Sequence, residues 1–119
     1  MNLLDTSILI ELPRRGALEE GSISVITLIE FLRGVPAHKR NEVKSSLEEL
    51  YEIISLNNDV VNEYCKLYEK LKSIGVKVPD ADLLIATSAR AKNPTLVTSD
   101  KHYEQLRELG LKVEIRHIE

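Results

Sequence analysis

Short, wholly apolar runs alternate along the chain with longer stretches in which apolar residues return every three or four positions. The short runs read as strands buried on both faces and the longer ones as amphipathic helices. Asn2 to Leu4 predicts a first strand, and Thr6 or Ser7 then caps a helix that runs to about Leu12 and is closed by Pro13. A second strand is expected over Ile23 to Ile26, followed by a short helix capped by Thr27 and ended at Gly34. Val43, Leu47, Leu50 and Tyr51 recur at helical spacing, so a helix from about His38 to Glu52 precedes a brief strand over Ile53 to Leu56. Asp59 is the expected cap of the next helix, whose apolar face of Val60, Val61, Tyr64, Leu67, Tyr68 and Leu71 runs until Gly75. Pro79 pushes Val78 out of helical conformation, and a new helix starts at Asp80. A strand over Thr95 to Thr98, a helix over Lys101 to Leu109 ended by Gly110, and a last strand over Lys112 to Arg116 complete the pattern.

Strands alternating with helices predict an α/β chain with a largely parallel sheet covered on both faces. The 119 residues suit a single domain spanning 1–119. In such open sheets the functional crevice lies outside the carboxyl ends of the strands. Asp5, in LLDTS, directly follows the first strand, and Asp100, in LVTSD, directly follows a late one. Glu30 lies one turn into the helix after the second strand, and Asp82 lies in the first turn of the helix after Pro79. If the strands are parallel, all four carboxylates come to one edge.

Each of the four also has a local reason to be where it is. Acids at helix N-termini accept free N–H groups and oppose the positive end of the helix dipole, for about 0.3–1 kcal/mol each. Thr27 and Glu30 have the spacing of a capping box, and Glu30 is placed to pair with Arg33. Capping one at a time does not account for four acids reaching the same edge, since Asp59 already shows what an isolated cap looks like here. Two unit charges about 4 Å apart repel by roughly 4 kcal/mol at an effective dielectric of 20. Four that converge call for cations or protons.

Composition narrows the chemistry. Cys65 is alone, which excludes an intramolecular disulfide and a cysteine metal cluster, and it reads as core filler beside Tyr64, Leu67 and Tyr68. His38, His102 and His117 are scattered without ligand spacing. Oxygen donors alone select a hard ion, Mg2+ or Mn2+, one or two in number. The net charge of −3 argues against a broad basic footprint for duplex DNA, although setting four site carboxylates aside leaves the rest of the molecule at +1. No apolar run reaches the roughly 18 residues of a membrane span, and no signal-like segment opens the chain, so the expected location is cytoplasmic, with no membrane association. A carboxylate-held magnesium ion is best suited to phosphate chemistry, which points to a metal-dependent nuclease.

Taken together, LLDTS with Asp5, TLIEFLRG with Glu30, Arg33 and Gly34, PDADLLIATS with Asp82 three residues before Ile85, and LVTSDKHY with Thr98 and Asp100 resemble the PIN-domain ribonucleases of the VapC toxin type over nearly the whole chain. The resemblance implies a three-layer α/β/α sandwich, Mg2+-dependent endonucleolytic cleavage of RNA, a homodimer, and a cognate antitoxin that blocks the acidic pocket. It implies Asp5, Glu30, Asp82 and Asp100 as the catalytic, metal-holding residues. Thr6 and Thr98 are expected to hold a carboxylate or a bound water in place, with capping as their local alternative. Asp80 is expected to cap its helix and at most to assist through water. Some relatives carry a further acid where this chain has His102, which leaves the number of ions open. Two other readings compete. A receiver-like phospho-accepting domain would want an acidic pair at the first strand, where Leu4 precedes Asp5, and a lone aspartate after a middle strand, where Asn57 and Asn58 stand. A catalytically inactive module of the same fold would bind RNA or protein only.

Overall fold

In the computed structural model, which describes residues 1–117, the elements run β1 (Asn2–Leu4), α1 (Thr6–Arg14), β2 (Gly21–Ser24), α2 (Val25–Leu32), α3 (Ala37–Leu50), β3 (Tyr51–Ile54), α4 (Asn58–Ser73), α5 (Asp80–Lys92), β4 (Thr95–Thr98), a 3-10 helix (Lys101–Leu109) and β5 (Val113–Ile115). Among the described residues the five strands pair in parallel, in the order β3-β2-β1-β4-β5. The chain winds outward from β1 to β3, then crosses back to place β4 on the other side of β1. The switch point therefore lies between the carboxyl ends of β1 and β4, where a crevice forms because the connections leave in opposite directions.

Alternation along the strands sends neighbouring residues to opposite faces. Leu3, Ile54 and Leu96 pack with Val60, Leu67 and Leu71 of α4, Leu83, Ile85, Ala86 and Ala89 of α5, and Tyr103 and Leu106 of the 3-10 helix. Leu4, Ile23 and Val97 pack on the other face with Ile8 and Leu9 of α1, Leu28 and Leu32 of α2, and Leu47 of α3. The result is the expected three-layer α/β/α sandwich. Each fully buried leucine or isoleucine contributes about 1.5–3 kcal/mol, so the two apolar layers hold the sheet edge as a rigid platform. Gly21 allows the closest approach in the sheet: at φ +154° its backbone passes so near β1 that an added Cβ would lie 2.5 Å from the Asn2 carbonyl oxygen.

Several expected boundaries and caps shift, for local reasons. Asp5, not Thr6 or Ser7, caps α1, because its side chain reaches the Ile8 N–H. Pro13 sits inside the last turn, where its missing N–H costs one bond, and the helix continues to Arg14. Ser24 caps α2 by accepting from the Ile26 N–H at 3.1 Å, which leaves Thr27 buried within the first turn; the expected Thr27–Glu30 capping box does not form. β3 begins at Tyr51 instead of Ile53, since Tyr51 is drawn into the sheet opposite Gly21. Asn57 caps α4 and Asp59 lies in its first turn. Pro79 occupies the cap position of α5 without a side-chain bond, so Asp80 is its first helical residue and not its cap. Of the expected apolar face of α4, Val61 and Tyr68 are exposed, and Cys65 is exposed too, not core filler. Among the described residues no helix is long and apolar enough to cross a membrane.

Candidate active site

Asp5 leaves β1 at the switch point, its backbone N–H donating to the Val97 carbonyl of β4 at 3.0 Å. That ladder bond fixes the carboxylate beneath the crevice, where it is 4% exposed. Ser7 Oγ donates to Asp5 Oδ1 at 2.6 Å, the Ile8 N–H donates to the same oxygen at 3.2 Å, and the Thr98 hydroxyl donates to Oδ2. Burial pushes the Asp5 carboxyl above its ordinary range, the three hydrogen bonds pull it back down, and the charge of Asp100 adds to the rise.

Asp100 follows β4 by the same logic. Its N–H donates to Thr98 Oγ1 at 3.0 Å, and its Oδ1 accepts from the His102 N–H at 2.9 Å and lies 2.8 Å from His102 Nδ1. Thr98 thus donates to one acid and accepts from the backbone of another. Ser7 binds the intervening Ser99 N–H at 3.3 Å, which ties the start of α1 to the turn after β4.

Glu30 approaches from the second turn of α2. The Thr6 hydroxyl donates to its Oε1 at 2.6 Å and lies 3.3 Å from the buried Thr27 hydroxyl, while Arg33 stands 3.8 Å from Oε2 with most of its side chain in solvent. Asp82 approaches from the first turn of α5, its backbone carbonyl accepting from the Tyr103 hydroxyl at 3.3 Å. Burial raises the Asp82 carboxyl, then the charges of Asp100, Glu30 and Asp5 raise it further, and Tyr103 lowers it. Burial pushes the Tyr103 phenol far up, with Asp82, Asp5 and Asp100 reinforcing it. The carboxylates of Asp5, Glu30, Asp82 and Asp100 therefore share one electrostatic neighbourhood.

Thr6 and Thr98 lie within that neighbourhood, bonded to Glu30 and Asp5. Asp80 does not: its carboxylate accepts from the Tyr64 hydroxyl of α4 at 3.0 Å and is turned to the outside of α5. Ile85 and Ala86, three and four residues past Asp82, are buried, which aims Asp82 along the core side of its helix. Sequence reasoning missed Ser7, Thr27 and Tyr103. Ser7 carried a signal, since a serine two residues after an aspartate is spaced to bond it. Tyr103 carried none, because its apolar spacing with Leu106 reads as core.

The oxygen-only donor set suits a hard divalent cation. Among the described residues no three His, Cys, Asp or Glu side chains stand close enough to form a finished cage. Hydroxyl donors occupy Asp5 and Glu30.

A PIN domain family model matches residues 3–109. The chain is 42% identical over 115 residues to Ribonuclease VapC1 of Methanocaldococcus jannaschii, covering 93% of this chain and 85% of that protein. It is 33% identical over 96 residues to Ribonuclease VapC2 of Rickettsia felis, covering 76% and 72%. Among solved structures, VapBC2 from Rickettsia felis bound to a DNA fragment from its promoter superposes with a TM-score of 0.75 at 27% identity, covering 97% of this chain and 98% of that one.

Proposed function

The chain belongs to the PIN-domain family, and from that premise we propose that it is a divalent-metal-dependent endoribonuclease, the toxin of a toxin–antitoxin pair. One observation carries the reading: Asp5 and Asp100 follow two adjacent parallel strands at the switch point of the sheet, joined through the Thr98 hydroxyl, and Asp82, from a helix remote in sequence, is raised by burial and then by Asp100, Glu30 and Asp5.

Asp5, Glu30, Asp82 and Asp100 would hold Mg2+ or Mn2+, with Asp5 and Asp100 placed by strand ends, Glu30 by the second turn of α2 and Asp82 by the first turn of α5. A divalent ion held there would supply positive charge beside a phosphodiester and would lower the pKa of a water, so that its deprotonated form is available as the nucleophile. The chain's own contribution is orientation. Thr98 and Ser7 fix both oxygens of Asp5, and Thr6 fixes one oxygen of Glu30, so neither carboxylate has to reorganise when substrate arrives. No histidine base is needed, and His102 is an exposed side chain that braces Asp100. RNA as the substrate rests on the relatives named as ribonucleases, and an antitoxin partner rests on the VapBC complex. A cytoplasmic location and a homodimer belong to the same proposal.

Cleavage of RNA titrated with Mg2+ or Mn2+, wild type beside Asp5→Asn and Asp82→Asn, tests it. Metal-dependent cutting lost in both variants is the expected result. RNA binding without cutting at any metal concentration would favour the inactive module, and a stable phosphoaspartate from acetyl phosphate and Mg2+ would favour the receiver.

A further inference from the structure

Each of the acids at the crevice has a side-chain donor near it. Asp5 has Ser7 of α1 and Thr98 of β4, Glu30 has Thr6 of α1, and Asp100 has His102 of the 3-10 helix. For Asp82 the hydroxyl within reach is that of Tyr103, which comes up through the apolar layer.

Tyr103 is 3% exposed and belongs to the apolar cluster that holds Leu83, Ile85 and Leu106. Phenylalanine would fill that slot with the same carbon atoms and would not carry a hydroxyl that needs a partner. The partner is the first turn of α5: the hydroxyl lies 3.3 Å from the Asp82 carbonyl oxygen. Tyr103 sits in the first turn of the 3-10 helix that Asp100 caps, its N–H donating to the Asp100 carbonyl at 3.3 Å within that turn. One side chain thus spans from the turn that carries Asp100 to the helix that carries Asp82.

We propose that Tyr103 is the positioning residue of Asp82, a buried strut whose hydroxyl fixes the start of α5, and so the Asp82 carboxylate, relative to Asp100. This rests on the reading that the four acids hold a divalent ion. The strut acts through geometry: α5 begins after a proline with no side-chain cap, and beside the exposed Asp80–Tyr64 bond the Tyr103 hydroxyl is the buried tie on its first turn.

Tyr103→Phe removes one oxygen and keeps the ring. Mn2+ affinity, measured calorimetrically or by the spin resonance of the free ion, is expected to fall about tenfold, in the range typical of groups that orient metal ligands. The metal-free melting temperature is expected to move little. Unchanged Mn2+ affinity would overturn the proposal, and so would a Tyr103→Phe protein that does not fold, since either result makes the hydroxyl a matter of packing alone. If wild type itself binds no Mn2+, the metal reading fails and the strut fails with it; if wild type binds and Tyr103→Phe binds equally, only the strut fails.

Discussion

The Thr98 hydroxyl donates to the Asp5 carboxylate across the ends of two paired strands, joining residues 93 apart in sequence inside the buried floor of the crevice. The same oxygen accepts from the Asp100 N–H, so a single side chain satisfies a buried acid and a turn at once. Thr98→Val keeps the shape and removes both bonds. We expect a loss of about 1–3 kcal/mol in urea unfolding, the usual result of leaving buried polar groups unpaired. A valine variant as stable as wild type would mean that Asp5 finds another donor.

Asp82→Asn tests the electrostatics without metal. The folded-state pKa of Asp82 lies above its ordinary value near 4, because of burial and then Asp100, Glu30 and Asp5. A raised carboxylic acid contributes most favourably below its unfolded pKa, and that contribution is lost as pH rises through the folded value. Asparagine stays neutral throughout. Chelated Asp82→Asn should therefore gain stability over wild type as pH rises from about 4 to neutrality, with the gap closing in acid. Adding Mg2+ at neutral pH should stabilise wild type more than the variant, since a ligand stabilises only the state that binds it. Parallel stability curves for the two proteins would show that Asp82 is not under charge stress.

Thr6→Val separates orientation from stability. The Thr6 hydroxyl is half-buried and holds Glu30 Oε1 at 2.6 Å, with Thr27 beside it. Losing it should lower RNA cleavage about tenfold, as loss of a ligand-orienting partner commonly does. Melting should change far less than in Thr98→Val, because Glu30 remains partly in solvent beside Arg33. Full cleavage activity in Thr6→Val would leave Glu30 to be placed by α2 alone.

Much of this was legible in the chain because period and punctuation agree. Asn2–Leu4 and Thr95–Thr98 were read to the residue, and the placement of Asp5 and Asp100 at one edge followed from their position after those strands. What the pattern did not carry was decided by tertiary contact. Thr27 has the spacing of a cap, but Ser24 leaves the sheet first and takes that role, which frees Thr27 to sit beside Thr6. The partners of Asp80 and Asp82 were not legible either, since Tyr64 of α4 reaches the first and Tyr103 of the 3-10 helix the second. Cys65 and Tyr68 share the periodicity of a buried face yet lie at its solvent margin, since a period fixes a stripe and not its width.

The far end of α5 offers a control that should leave the crevice untouched. Arg90 donates to Glu63 of α4 at 2.7 Å and to the Leu109 carbonyl at the end of the 3-10 helix, with about a quarter of each charged side chain exposed. It clamps three elements of one layer at a point two turns beyond Asp82. Arg90→Met leaves Glu63 and the Leu109 carbonyl without this donor, at a cost of about 1–3 kcal/mol. Glu63→Gln should cost less, because a neutral amide still accepts from Arg90. In the double variant the costs should fall short of their sum, as contacting pairs do, by about 0.5 kcal/mol or more. Mn2+ affinity should match wild type in all three proteins. Additive costs would show that the ion pair is screened by solvent, and a weakened metal affinity would show that α5 moves as one rigid rod from Arg90 to Asp82.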